Sequence, residues 1–595
     1  MFLANGARLR GRLKGLASLA PADGPVDPTH HFLVAQGVVL DEATRRAASA
    51  HARMTGAAVL DLVPGDLTVE RTLDLARMVD PRATREDPLA IGRSAGHATL
   101  VDDDVMRRMS AGPMADVDLT VPLDPATYVR VAETLKRYAP RSTALVVAPG
   151  LSATPDTATG RRQAIHAMYG DAFGLSLAVP VAVLAALVGG LITAPWAGLT
   201  ALGAFCLQPV AALAGVPVRS ADRRWLPALR WALWPIRLVR TIVGRWPSSD
   251  SADLVEELRP VYSELIAAGE GRFWEARRPD CPFCGSEAIR ARVRCSDLLR
   301  HKPGEFVLDQ CDHCGLVFQN PRLSPVGLDY YYRDFYDGLG EGQMASVFGL
   351  GDSTYVLRAE MVRAVAAPKR WLDVGTGHGH FCLVASGVLP DTRFDGLDMG
   401  ESVEEAERRR WIGTGYRGMF PELAPSLAGG YDVVSMRHYL EHTIDPLAEL
   451  DSAAQVLSDG GHLLIELPDP ESMWGRWLGG YWLPWFQPQH LHLISIGLLE
   501  KALIERGFTI VDRDQTGASQ SLNLTAAVWM LIGRFAPPAN LPWLPRPTVL
   551  RRARRAVGVA VGALPLAGAV AIDVLLARLP SRPGQSNAYR VLARR

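Results

Sequence analysis

Three glycines spaced two residues apart, Gly375, Gly377 and Gly379, punctuate the string RWLDVGTGHGHFCLVA. A side chain at such positions would hold the backbone away from a ligand, so the spacing predicts a turn that cradles a nucleotide. The turn follows an apolar run that reads as a buried strand and leads into a helix. Asp373 and Thr376 lie in the same strand-turn segment and count as candidate cofactor contacts. Nineteen residues beyond Gly379, RFDGLD ends a second short strand on Asp398, where a carboxylate can accept hydrogen bonds from both ribose hydroxyls. A dinucleotide fingerprint would place its last glycine at position 380, which is histidine here. A second chemistry comes from two CxxC pairs, Cys281/Cys284 and Cys311/Cys314, with 26 residues between them. Each pair can present two thiolates from one tight turn, and two such turns supply the tetrahedral four-sulfur shell that zinc prefers in structural sites. Redox dithiols would require a thioredoxin-like βαβ context, which the flanking sequence lacks. Cys295 and His313 lie near the pairs and read as a lone thiol and a solvated knuckle residue.

These groups need a scaffold, and the alternation of strand and helix patterns after residue 351 predicts a doubly wound α/β sheet. TGYRGMF reads as a third strand, YDVVSM as a fourth, GGHLLIELPDP as a fifth and GFTIVDRD as a sixth. Ligands in such sheets bind outside the carboxyl ends of the strands. At 595 residues the chain is too long for one core, so several domains are expected. Lysine plus arginine equals aspartate plus glutamate, 63 of each, which speaks against a global field for nucleic acid. Seven cysteines, four of them in the two pairs, suit a reducing compartment. The basic N-terminal segment lacks the apolar core of a secretory signal.

The GxGxG turn with Asp398 resembles the class I S-adenosylmethionine (SAM) dependent methyltransferases, whose seven-stranded Rossmann-like sheet ends in an antiparallel strand like SNAYRVLARR. Its combination with a four-cysteine ribbon, a proline-containing link and the tyrosine-rich segment LDYYYRDFY is similar to the sugar C-methyltransferases and related zinc-ribbon methyltransferases. That resemblance implies SAM as cofactor and a structural zinc. It places Met419 and Phe420 beside the adenine, and His438, Tyr439, Glu441 and His442 of the HYLEH loop beside the methionine end. It also implies that the tyrosine segment overhangs the substrate, with Tyr331 the representative of Tyr330, Tyr331, Tyr332 and Tyr336; core rings of a linking helix are the other reading. His490 corresponds to the histidine of the family's acid-histidine pair, with His442 and His492 as alternates. This chain has Gln489 where the family has glutamate, so His490 has no carboxylate beside it in sequence to raise its basicity. A capping or structural histidine is the plainer alternative for each.

The remaining segments set the organisation. Residues 1–165 read as a small α/β region of unassigned role, in which Asp102, Asp103 and Asp104 are better explained as a helix N-cap than as metal ligands. Residues 172–218 carry no charge, with 47 uncharged positions between Asp171 and Arg219, enough for a hydrophobic helical hairpin that crosses a bilayer twice. A buried helical pair is the soluble alternative. Residues 219–247 interleave arginine with tryptophan, suiting an interfacial helix at an anionic surface, with single-stranded nucleic acid as the other ligand of such a pattern. A zinc ribbon follows at 278–320, a tyrosine-rich link at 321–350, and the methyltransferase domain at 351–525 and 586–595. Residues 526–585 form an apolar insertion. Its run 556–572, 17 residues ahead of Asp573, reads as an in-plane or shallowly inserted helix, or as a buried cap over the site.

The expectation is a membrane-associated SAM-dependent methyltransferase at the cytoplasmic face of the plasma membrane, acting on a lipid-linked, glycan or other hydrophobic acceptor. Nucleic acid is not expected as a partner. A fusion with an N-terminal glycosyltransferase-like domain and a non-enzymatic docking protein that retains the SAM fold are the alternatives.

Overall fold

A computed structural model describes residues 2–78, 94–112, 114–155, 157–158, 161–162, 183–184, 186–218, 225–242, 250–334, 352–516, 522–576 and 584–595. Tyr336, Arg223, Arg224, Arg245, Trp246 and most of the first half of the 172–218 hairpin lie outside them. The chain divides into two compact units, Met1–Ser249 with Arg408–Arg410, and Asp250–Glu407 with Trp411–Arg595. The first unit thus joins the stretches read separately as 1–165, 172–218 and 219–247.

In the first unit, helix α1 (Phe2–Leu13) precedes a five-stranded sheet of order β1-β5-β3-β4-β2: β1 (Ala17–Ser18), β2 (His30–Val34), β3 (Val59–Pro64), β4 (Ala98–Asp102) and β5 (Thr143–Ala148). Strands β1, β5 and β3 run parallel, while β4 and β2 pair antiparallel. Asp102 caps helix α2 (Asp103–Ser110) by accepting from Asp104 N at 2.8 Å, and Asp103 and Asp104 pair with Arg107 and Arg108. Lys136 of helix α3 (Pro125–Tyr138) reaches the buried Asp61 at 2.9 Å. Helix α4 (Pro195–Leu213) packs on α1 so closely that a Cβ on Gly6 would lie 2.7 Å from Gln208 O. Its Phe205 meets Phe2, Trp231 of helix α5 (Leu226–Ala232) and Trp234 of helix α6 (Trp234–Ile242). One side of this apolar helix is therefore core, while Trp196 stands 85% exposed on it.

The second unit opens with helix α7 (Asp250–Ala267) and the cysteine knuckles. Strands β6 (Ile289–Ser296), β7 (Glu305–Cys311) and β8 (Val317–Gln319) form an antiparallel ribbon. Its fourth strand, β14 (His492–Leu493), comes from far along the chain and pairs with β8 through His492–Phe318 and Leu493–Val317. The tyrosine helix α8 (Pro325–Tyr332) follows. Its last carbonyls are closed by Lys302, whose Nζ donates to Tyr330 O at 2.6 Å and Arg333 O at 2.8 Å; burial lowers this amine to about 7.

Helix α9 (Asp352–Arg363) leads into a seven-stranded sheet of order β11-β10-β9-β12-β13-β16-β15. The strands are β9 (Arg370–Val374), β10 (Arg393–Asp398), β11 (Gly415–Arg417), β12 (Tyr431–Arg437), β13 (Leu457–Pro468), β15 (Thr509–Asp514) and β16 (Ala588–Arg594). All neighbours are parallel except β16, which runs antiparallel to both β13 and β15. Strand order reverses between β9 and β12, where such sheets open a crevice for ligand. Buried Leu372, Val374, Leu397, Val434, Met436, Leu463 and Ile465 line one face of the central strands and buried Trp371, Phe394, Val433 and Leu464 the other, as parallel strands covered by helices must be. Cys311, Leu316 and Phe318 of the ribbon belong to the same core cluster, so ribbon and sheet share one interior.

Between β15 and β16 lies a helical hairpin, α12 (Asn523–Phe535) and α13 (Val549–Leu576), numbered after helices α10 (His380–Val388) and α11 (Pro446–Val456) of the sheet domain. The 556–572 run, read from sequence as too short to span, is part of a 28-residue helix that continues through Pro565. Its boundary charge, Asp573, is only 1% exposed and caps α12, accepting from Thr525 N at 2.8 Å and Thr525 Oγ1 at 2.7 Å. At the other end of α12, Arg554 and Arg555 donate to Phe535 O and Ala536 O. Acid at the amino end and base at the carboxyl end of α12 suit its dipole and fix the register of the pair.

Candidate functional site

The carboxyl end of β9 turns through Gly375, Gly377 and Gly379 with φ of 75°, 53° and 76°, conformations that glycine adopts without strain. Neighbours require glycine twice: a Cβ on Gly375 would lie 2.7 Å from the Tyr439 ring, and one on Gly379 3.1 Å from Ala406. A Cβ on Gly377 would meet nothing within 4 Å, so that side of its backbone faces open space where a ligand can approach. Asp398 braces this turn, Oδ2 accepting from Gly377 N at 2.9 Å and Oδ1 from Gly400 N at 2.8 Å. A carboxylate has lone pairs beyond these two bonds for a ribose. Gly418 N donates to Asp398 O at 3.0 Å, which brings the Met419–Phe420 segment beside the acid. Met419 is half-buried, whereas the Phe420 ring is fully buried in the sheet core. Asp373 and Thr376 are also inward: Asp373 accepts from Ser435 Oγ at 2.5 Å, and burial raises its carboxyl. These two shape the turn from beneath.

Across the crevice, β12 delivers the HYLEH loop. Tyr439 rests on Gly375 and donates to Glu449 Oε2 at 3.0 Å; burial pushes the Glu449 carboxyl up to about 7. His438, at φ 44°, holds Nδ1 2.9 Å from Glu441 Oε1 and Nε2 3.5 Å from Glu466 Oε1. Glu466 is itself clamped by Arg358 at 2.7 and 2.6 Å and by Arg590. Burial opposes this charge, but the two guanidiniums hold the carboxyl far below its ordinary value. Arg358 and Arg437, which stacks on Tyr355, put positive charge at the ends of β12 and β13. No sequence motif marked this cluster, because its members come from α9, β12, β13 and β16.

The histidines converge. His442 and His490 stack edge to face with ring centres 4.6 Å apart. His490 Nδ1 donates to Pro484 O at 2.8 Å, and its Nε2 lies 4.0 Å from Glu441 Oε1. The carboxylate missing at position 489 is therefore supplied from the HYLEH loop. Burial, reinforced by His442, lowers His490 to about 3. His442 Nδ1 lies 3.1 Å from Gln489 O and 3.0 Å from Tyr332 Oη. Tyr332, not Tyr331, is the tyrosine brought here. Tyr331 is 1% exposed, bonds Pro303 O and packs on Phe306 and Tyr330, because consecutive helical residues point about 100° apart. His492 faces the ribbon, within 6.4 Å of the Phe283 ring.

The four cysteines meet as expected: Cys281–Cys314 and Cys284–Cys311 sulfurs are each 3.6 Å apart, and all four lie within 4.8 Å. Sulfurs about 2.3 Å from a tetrahedral ion would be separated by about this much, so the residues fit zinc. The ribbon reaches the histidines directly. Gln319 N donates to Leu491 O at 2.9 Å, and Gln319 Nε2 donates to Gln487 Oε1 at 2.7 Å. Phe486, whose ring lies 4.9 Å from that of His490, lines a small cavity with Trp482, Trp485, Gln487 and Met530 of α12.

Residues 353–513 match the family model described as a methyltransferase domain. The chain is 35% identical over 111 residues to the ubiquinone biosynthesis O-methyltransferase of Marinobacter nauticus, covering 17% of this chain and 45% of that protein. To the enzyme of the same name from Vibrio parahaemolyticus it is 36% identical over 102 residues, 16% of this chain and 43% of the relative. The chain thus spans less than half the length of these curated relatives. Among solved structures, a SAM-dependent methyltransferase from Thermotoga maritima, titled a possible histamine N-methyltransferase, aligns over 44% of this chain and 99% of its own, with 16% identity and a TM-score of 0.28.

Proposed function

We propose a membrane-associated activity for a chain whose residues 353–513 are a class I SAM-dependent methyltransferase domain: transfer of a methyl group to an oxygen of a hydrophobic or lipid-linked acceptor. Bound SAM supplies an electrophilic methyl on a sulfonium. The Gly375–Gly379 turn and Asp398 hold its nucleoside, the Met419–Phe420 segment flanks the adenine, and His438 faces the methionine end. Tyr332, Glu441, His442 and His490 line the acceptor side, where alignment and exclusion of water lower the barrier. Bound here, SAM would give its methyl to the acceptor oxygen and leave as the neutral thioether, and the hydroxyl proton would pass to the Glu441–His490 side of the pocket. Oxygen as the accepting atom is supported by the O-methyltransferase names of the relatives. Cys281, Cys284, Cys311 and Cys314 hold a structural zinc.

One observation carries the hydrophobic acceptor: Met530, from the apolar hairpin, lines the same cavity as Phe486, the neighbour of His490. Membrane association is supported by two helices long and apolar enough to cross a bilayer, Pro195–Leu213 and Val549–Leu576, with mean hydropathies of 1.5 and 2.2. Val557, Val561 and Leu564 are exposed on the second, below the basic group Arg551, Arg552, Arg554 and Arg555, which suits a bilayer with anionic headgroups. Flotation of the full chain with vesicles tests this reading. Co-flotation with anionic vesicles is expected; a protein that stays soluble without detergent and methylates only water-soluble acceptors contradicts it.

A further inference from the structure

We infer that Glu441, His442 and His490 form a binding site for one divalent transition-metal cation on the acceptor side of the crevice, distinct from the four-cysteine ribbon. The inference rests on reading that side as the acceptor pocket. One ligand atom from each of the three residues lies within 4.8 Å of the others. Hydrogen bonding indicates which nitrogens are available to a cation. His490 Nδ1 sits 2.8 Å from Pro484 O, and a carbonyl only accepts, so Nδ1 carries the hydrogen and Nε2 is a bare lone pair. His442 Nδ1 likewise sits 3.1 Å from Gln489 O, leaving its Nε2 bare. The His490 lone pair looks at Glu441 Oε1 across 4.0 Å, acceptor facing acceptor. Glu441 Oε2 is buried and has no hydrogen-bond partner among the described residues.

Glu441 is 1% and His490 6% exposed, and His442 is half-buried. Acceptors that converge without a positive partner are unfavourable, and a cation at their centre answers them. His438 donates to Glu441 Oε1 at 2.9 Å and so satisfies one carboxylate oxygen, leaving the second without a partner among the described residues. The burial that weakens His490 as a base does not remove its lone pair, so the group suits a Lewis acid better than a proton. Two imidazoles with one carboxylate select Mn²⁺, Fe²⁺, Co²⁺ or Zn²⁺ over Mg²⁺ and Ca²⁺, and three protein ligands leave positions open for an acceptor oxygen. Such a cation would hold that oxygen in line with the methyl group.

The test titrates the full chain, its ribbon loaded with zinc, with Co²⁺ while following visible absorption and metal per chain by atomic emission, and measures SAM binding on the same samples. Two cations per chain are expected, the second showing weak ligand-field bands without thiolate charge transfer. His442→Ala and Glu441→Gln should each lose that second equivalent and retain both the ribbon zinc and SAM binding. A wild-type chain that binds SAM yet takes up only the ribbon cation at millimolar Co²⁺ overturns the inference and points to a proton shared by Glu441 and His490. A chain that binds no SAM overturns the underlying reading of the site as well.

Discussion

Gly375 and Gly377 share a left-handed backbone yet fail differently when substituted. Gly377→Ala costs about 1 kcal/mol of backbone strain and clashes with nothing, so the protein should fold and lose SAM affinity in calorimetry. Gly375→Ala drives a Cβ to 2.7 Å from Tyr439 and should lower the unfolding midpoint further. Equal losses of stability from both would contradict the assigned contacts. Glu449 gives a pH signature. Its folded carboxyl titrates at about 7 against 4.5 in an ordinary setting, so the folded state keeps a proton that the unfolded chain has already released. Stability is therefore lost as pH rises from about 4.5 to 7, by roughly 3 kcal/mol in the limit. Glu449→Gln should remove that slope in denaturant titrations across the window, and an unchanged slope would place the titration elsewhere. The glycines and Asp398 were legible in sequence because a turn and the acid after the next strand are near-local constraints. The pairing of Glu441 with His490 was not, since it exists only once β14 docks on the ribbon.

Elements explain how remote parts reach the site. The ribbon's fourth strand follows directly on His490, so metal removal should act on the acceptor side first. Cys284→Ser is expected to cut turnover at least about tenfold while SAM binding persists, because the Gly375–Gly379 turn rests on β9 and β10 instead. Parallel loss of SAM binding would show that the ribbon supports the whole sheet. In the hairpin, Asp573→Ala removes the side chain that caps α12 and should cost about 1 kcal/mol, read as earlier thermal unfolding. The strands were readable because each is a short apolar run bounded by turn residues. The length of α13 was not, since Asp573 looked like the end of an apolar run when it is a buried cap. Nor could the order of tyrosines on α8 be read: helical rotation, with Lys302 closing the last turn, sends Tyr332 to His442 and Tyr331 into the core.

Among the described residues, each unit carries one helix of spanning length, and the two differ in setting. Pro195–Leu213 has a third of its hydrophobic window buried inside its unit, whereas Val549–Leu576 has 17% buried and leaves most of its apolar surface uncovered. A helix of 28 residues is about 42 Å long, longer than a hydrocarbon core, so an apolar surface of that extent finds its partner most economically in lipid. The N-terminal α/β region gave little away in sequence; in the structure Asp61 pairs with buried Lys136, and Asp102 caps the helix that carries Asp103 and Asp104. The decisive measurement incubates the full chain, in lipid bilayers, with methyl-labelled SAM and a membrane lipid extract, then partitions the products between water and organic solvent. Label in the organic phase, absent with Gly377→Asp, is the predicted result. Label confined to the aqueous phase, or none at all while SAM binds, would contradict a hydrophobic acceptor.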